Sequence, residues 1–147
     1  MAGVIPTYFE REATDCVEDY TYNKETKNIE VEFSYRAKGS APEAEPSKLL
    51  QRANVKNPGV NTRWGINPKL GFFIPLNLDY LVADCSEDYS ECIIGVPSRA
   101  NVWIMARTPA MAEERYAAAL QRAVELGFDA AKVVRVPHTQ EARARPA

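Results

Sequence analysis

Histidine is almost absent from this 147-residue chain, and long apolar runs are absent altogether. His138 is the single histidine, and the three cysteines, Cys16, Cys85 and Cys92, include no Cys-x-x-Cys pair. A zinc site needs clustered nitrogen or sulfur ligands, and a Ser-His-Asp relay needs a histidine beside its nucleophile, so both chemistries have almost nothing to draw on. Three cysteines are too few for a disulfide scaffold, although one bridge with a free thiol fits the count. No stretch approaches the roughly 20 apolar residues of a spanning helix. Met1-Ala2-Gly3-Val4-Ile5-Pro6 lacks the basic and apolar regions of a signal peptide, so the cytoplasm or a membrane surface is the expected location. Eighteen basic against 20 acidic residues, a net charge of −2 and no basic stripe argue against a nucleic-acid partner.

What is present is alternation. Ile29, Val31, Phe33 and Tyr35 alternate with Glu30, Glu32, Ser34 and Arg36, the period of a strand with one wet and one buried face. Tyr20 and Tyr22 share a face across Thr21, and the polar run Asn23 to Asn28 supplies turn chemistry, so residues 17–35 read as a hairpin with its tyrosines inward. Lys38 to Ser47, with Gly39, Pro42 and Pro46, reads as a loop, and Leu49 to Val55 as a weaker strand. After the turn Asn57-Pro58-Gly59, the residues Val60, Thr62, Trp64 and Ile66 alternate as a further strand. Asn67 to Asn77 is an unusually apolar loop carrying Phe72, Phe73 and Ile74. Leu78 to Cys85, Tyr89 to Val96 and Ala100 to Arg107 follow as short strands with tight connections, as in an antiparallel meander.

The period then changes. Ala112 to Leu126 is rich in helix formers, preceded by Thr108-Pro109 and stopped by Gly127, with Tyr116, Leu120, Ala123 and Val124 as its apolar stripe. Lys132 to Val136 is a last strand-like piece, and residues 141–147 read as a flexible tail after a single domain over 1–140. A four-residue loop, Ser86 to Tyr89, would set Cys85 opposite Ser90, which argues against a Cys85–Cys92 bridge. Asp79, Asp84, Glu87 and Asp88 flank that hairpin, where acidic residues serve turns and solubility rather than calcium or catalysis.

The succession Asp79-Tyr80, Gly95-Val96-Pro97-Ser98-Arg99 and Trp103-Ile104-Met105-Ala106-Arg107-Thr108, followed by one helix and Val136-Pro137, resembles the lipocalin family, in particular its bacterial and plant temperature-induced type. The resemblance covers most of residues 9–140. It implies an all-β, up-and-down antiparallel β-barrel of about seven or eight strands with one C-terminal helix packed outside. It also implies binding, transport or sequestration of a small hydrophobic molecule, such as a fatty acid, lysophospholipid or pigment, with no catalysis, metal or cofactor. Arg107 takes a packing and hydrogen-bonding place at the barrel's closed base.

The family's Gly-x-Trp first strand has no counterpart here, so that strand is expected to be missing. Either the polypeptide is truncated relative to its functional form, or Met1 to Tyr8 and a neighbouring chain patch the opening. The gap exposes hydrogen-bonding edges through which a second copy of the chain would pair.

Tyr20, Tyr22, Phe33, Tyr35, Trp64, Phe72, Tyr80, Trp103 and Met105 are the candidate ligand-binding residues; the bland alternative is that aromatic residues in strands are plain core. Two other functional classes stay open. One is a lipocalin-fold enzyme acting on a lipid or pigment, although no nucleophile paired with a base stands out. The other is an interaction module that touches a membrane or another protein through the apolar loop around Phe72 and Phe73.

Overall fold

The computed structural model describes residues 1–7, 10–41 and 43–139; the expected tail lies outside the described residues. The elements follow in the order β1 (Gly3–Ile5), β2 (Thr14–Asn23), β3 (Asn28–Arg36), β4 (Ser47–Val55), β5 (Arg63–Leu70), β6 (Phe72–Phe73), β7 (Leu78–Cys85), β8 (Glu91–Gly95), β9 (Val102–Ala106), α1 (Glu113–Glu125), a 3-10 turn over Ala130–Lys132, and β10 (Val134–Arg135). They form one ten-stranded sheet in the order β10-β1-β9-β8-β7-β5-β4-β3-β2, with β6 paired to β5 alone. Every pairing is antiparallel. The sheet curls into a half-barrel with the helix on its outside. The excess over seven or eight strands comes from β1, β6 and β10, pieces of two or three residues that are too short to show a period.

Local chemistry explains the hairpins. Asn23 Oδ1 accepts the backbone N–H groups of Glu25 (3.0 Å) and Thr26 (3.1 Å), an Asx turn that folds β2 onto β3. Asn57 Oδ1 accepts the Arg63 N–H at 2.7 Å, and Lys56 N–H reaches Arg63 O at 2.7 Å. That lock places Val60 to Thr62 in the loop, so β5 starts at Arg63 and not at Val60. It then runs on through Asn67 to Leu70 and turns at Gly71 into β6, so the expected loop at 67–77 is partly a short hairpin.

Between β7 and β8 a bulge after Val82 shifts the register, and Ser86 N–H donates to Glu91 O at 2.9 Å. The connecting loop is therefore Glu87 to Ser90, one residue later than the sequence suggests. Asp88 holds it by accepting Ser86 Oγ–H at 2.7 Å and Ser90 N–H at 3.0 Å. Moving the loop by one residue moves the partner of Cys85 by two, from Ser90 to Cys92, and the two cysteines form a disulfide across a Cα separation of 4.2 Å, correcting the expectation of no bridge.

The expectation of a missing first strand also needs correction: Gly3–Ile5 pairs with β9 on one side and β10 on the other. Among the described residues, β2 ladders only to β3, and β9 beyond Ile104 has no partner in β1. In place of a ladder a clasp joins the two ends of the sheet. The Met1 ammonium donates to Cys16 O (2.9 Å) and Asp15 N–H to Pro137 O (2.8 Å). The Asp15 carboxylate accepts Thr139 N–H at 2.5 Å and Thr139 Oγ–H at 3.0 Å, with Arg36 Nε at 3.3 Å.

The helix carries Glu113 and Glu114 in its first turn, where the dipole favours acids. It closes in a Schellman motif, with Phe128 N–H on Ala123 O and Gly127 N–H on Val124 O, for which Gly127 takes φ +92°. Its buried residues are Tyr116 and Ala123; Val124, expected in the stripe, is largely exposed. Ala123 and Phe128 pack with Ile5, Ile93 and Val102 on the outer face of the sheet. A Cβ at Gly95 would lie 2.2 Å from the Phe128 ring, so only glycine admits this close approach.

Candidate functional site: the inner face of the half-barrel

Strand register decides which residues look inward. Glu18 is opposite Phe33 and Tyr20 opposite Val31; Trp64 is opposite Tyr80; Ile94 is opposite Trp103 and Cys92 opposite Met105. These positions share one face, and Val31, Ala53, Ile66, Tyr80 and Ile94 form its buried belt, with Trp64, Trp103 and Met105 packed against them. Met1, Val4, Ala13, Cys16, Phe33 and Val136 form an adjoining cluster that meets Trp103 and Met105 as well.

Five of the nine candidates converge. The Tyr80 ring stacks on Trp64 (centroids 5.3 Å, interplanar 7°) and on Trp103 (6.0 Å, 23°), while Tyr20 meets Trp64 edge-on at 5.8 Å. Met105 Sδ lies 3.6 Å from Tyr20 Oη. Phe33 and Tyr35 stack on each other at 5.0 Å in the adjoining cluster. Tyr22 shares the phase of Tyr20 but is 58% exposed near the β2–β3 turn. Phe72 is 72% exposed at the β5–β6 hairpin and stands apart from the inner belt.

Two carboxylates join the rings. Glu18 accepts hydrogen bonds from the Tyr20 and Tyr80 hydroxyls, and those two hydroxyls also bond each other. Glu10, in the link between β1 and β2, accepts the Trp103 indole N–H at 2.5 Å on one oxygen and the Thr7 backbone N–H at 2.7 Å on the other. Burial pushes the Glu18 carboxyl up to about 7, against the opposing pull of the tyrosine hydrogen bonds. Burial likewise drives Tyr20 and Tyr80 well above the usual phenol value and the Cys16 thiol up to about 12, and it lowers the Met1 ammonium.

Glu18 escapes a search for rings, yet its signal was available: it stands two residues before Tyr20, in the same phase of the strand. Glu10 sits outside any periodic segment and carries no such mark. Arg107 is exposed, its Nε donating to Tyr89 O at 3.0 Å, so it packs over no aromatic ring of the inner belt. An open cleft of about 250 Å³ lies between α1 and the sheet, along Asp84, Ile93, Ile104, Ala118 and Arg122, and of the candidate residues only Met105 borders it. The Arg122–Asp84 pair at 2.6 Å crosses it, and none of the inner rings reaches it. Among the described residues no group of three or more His, Cys, Asp or Glu side chains is placed to hold a metal ion.

A curled antiparallel sheet with a ring-lined inner face and one helix outside has the architecture of a calycin-type barrel. The sequence model of the lipocalin-like domain matches residues 2–138, and the chain belongs to the lipocalin family. It is 36% identical over 101 residues to temperature-induced lipocalin-1 of Arabidopsis thaliana, a match covering 69% of this chain and 50% of the relative. The chain thus spans about half the length of the curated relative it matches. Among solved structures it resembles apocrustacyanin C2 (TM-score 0.67, 11% identity, covering 95% of this chain and 75% of the other). Lobster apocrustacyanin A1 is similar at TM-score 0.66 and 11% identity, covering 94% of this chain and 74% of that one. At such identities the likeness speaks for the fold alone. Lipocalins are in general binding and transport proteins for small hydrophobic ligands.

Proposed function

We propose that the half-barrel binds a small hydrophobic molecule of the fatty-acid, lysophospholipid or pigment class on its inner face, and carries or sequesters it without turnover. The observation that carries this reading is the run of rings Trp64, Tyr80 and Trp103, stacked in series with Tyr20 at its edge, on a face where both tryptophans stay only half-buried. A plain core would close over such rings; these leave apolar area for a ligand to cover, worth roughly 25 cal/mol per Å² removed from water. Tyr22, Phe33 and Tyr35 extend the same face.

Titration with a fatty acid, a lysolipid and a carotenoid while following tryptophan fluorescence tests the reading. Saturable quenching is expected, and Trp64→Ala should weaken binding more than it lowers stability. Absence of saturable binding by all three classes would remove the carrier reading.

A second reading has its own observation. Phe72, Leu70 and Leu76 are exposed together around the β5–β6 hairpin, near Lys69 and with Arg52 held 4.0 Å over the Phe73 ring. Apolar tips beside cations suit peripheral contact with a membrane surface. Flotation with anionic vesicles, lost in Phe72→Ser, tests it.

A further inference from the structure

We propose that the inner face selects its ligand by head group: an apolar molecule ending in a hydrogen-bond donor without negative charge, such as a hydroxyl, seats on Glu18, Tyr20 and Tyr80 in preference to one ending in a carboxylate. This rests on the reading that the interior holds an apolar ligand.

The argument is an inventory of charge and hydrogen-bonding capacity. The lysines and arginines of the strands, Arg36, Lys48, Arg52, Arg63, Lys69 and Arg135, all fall in the outward phase of their ladders, each next to an inward residue. Inward stand Glu18 and, from the β1–β2 link, Glu10. Among the described residues, the cationic group that acts on Glu18 is the Met1 ammonium, which donates to Cys16 O and whose pKa burial lowers. Around Glu18 the titratable groups are therefore Tyr20 and Cys16 on its own strand, Tyr80 on β7, Glu10 from the link and the Met1 amine.

A ligand hydroxyl can donate to the Glu18 carboxylate and accept from a tyrosine, entering the network without leaving a lone pair facing a lone pair. A carboxylate can only accept. Placed there it faces Glu18 and Glu10 with little solvent between, where like charges repel strongly. Tyr20, 38% exposed and set against the unpaired stretch of β2, keeps the anchor reachable, whereas Tyr80 at 6% forms its floor.

The test displaces the neutral dye N-phenylnaphthylamine from the protein with dodecanol and with dodecanoate, chains of equal length and different heads. At about pH 8 dodecanol is expected to compete roughly tenfold better or more, the equivalent of a single unit of pKa. The gap should narrow at about pH 6, where Glu18 takes up its proton. It should narrow at about pH 8 and lose its change between about pH 8 and about pH 6 in Glu18→Gln, whose amide oxygen accepts from both tyrosines without the charge while Glu10 remains. If that variant fails to fold, Tyr20→Phe should weaken dodecanol and leave dodecanoate unchanged. Equal competition, or a preference for dodecanoate, overturns the head-group rule while leaving the carrier reading in place. If the dye and both chains fail to bind, the carrier reading itself falls and the rule with it.

Discussion

Strands β8 and β9 serve two faces that differ in kind. Outward, Ile93 and Val102 pack with Ala123 and Phe128, and Ile104 is buried as well. Inward, Ile94 is sealed as well, but Cys92, Trp103 and Met105 on the same strands are half-buried and share their surroundings with carboxylates and phenols. One face is closed by apolar packing; the other combines a buried belt with half-buried tryptophans and a carboxyl that burial makes costly. The outer cluster is therefore apolar packing alone, whereas the inner face sets half-buried rings and a carboxyl beside its buried belt.

Perturbing each face separately tests the division. The largest effect is expected from Phe128→Ala, which empties the space beside Gly95 and should lower unfolding free energy by about 3–5 kcal/mol in a denaturant titration. Dye binding per folded molecule should be unchanged; loss of binding would show that the two faces are not separable.

Asp15→Ala comes next. It strips the clasp of its buried acceptor and leaves Arg36 and the Thr139 N–H without that partner. A drop of about 3 kcal/mol is expected by chemical denaturation. An unchanged midpoint would mean that the curl of the sheet needs no clasp.

Replacing Cys92 by Ser opens the short Cys85–Cys92 loop, and the chain-entropy estimate for so small a ring is about 2.5 kcal/mol, readable as the shift between the oxidised and variant proteins. The same comparison with a reductant present should show no difference.

Glu18 makes the inner face sensitive to pH. Its carboxyl is held at about 7 in the fold against an ordinary value of 4.5. Between those values the unfolded chain has released this proton while the folded chain retains it, so the unfolded state binds fewer protons and stability falls as pH rises, levelling off above about 7. Glu18→Gln should flatten that slope; a slope equal to that of the unaltered protein would place its origin elsewhere. The smallest effect belongs to Phe72→Ser, expected to shift stability by no more than about 0.5 kcal/mol because the ring is surface-exposed.

Much of the frame was legible before the structure. Alternation through Ile29 to Tyr35 marks β3 and its inward set, and the change of period between Thr108 and Gly127 marks α1 within a residue at each end. Tyr20, Trp64, Tyr80, Trp103 and Met105 were identifiable from the sequence as candidates, and they do meet. Val124 and Phe72 show the limits of such patterns: a position in phase, or an apolar residue in a loop, says nothing of what arrives to cover it.

By itself the sequence determined the sheet, the single helix and which side chains face in, because alternation and helical period act between near neighbours. Tertiary structure alone decided the pairing of Cys85 with Cys92, through a bulge after Val82 and the Asp88 turn that together move the partner of Cys85 from Ser90 to Cys92. It also decided the closure of the wall, because Asp15 and Thr139 lie 124 residues apart and meet only once the sheet has curled. The character of the inner face has the same origin: Glu18 becomes an unusual acid when β7 brings Tyr80 against it and the neighbouring rings displace water, a desolvation that no local pattern encodes.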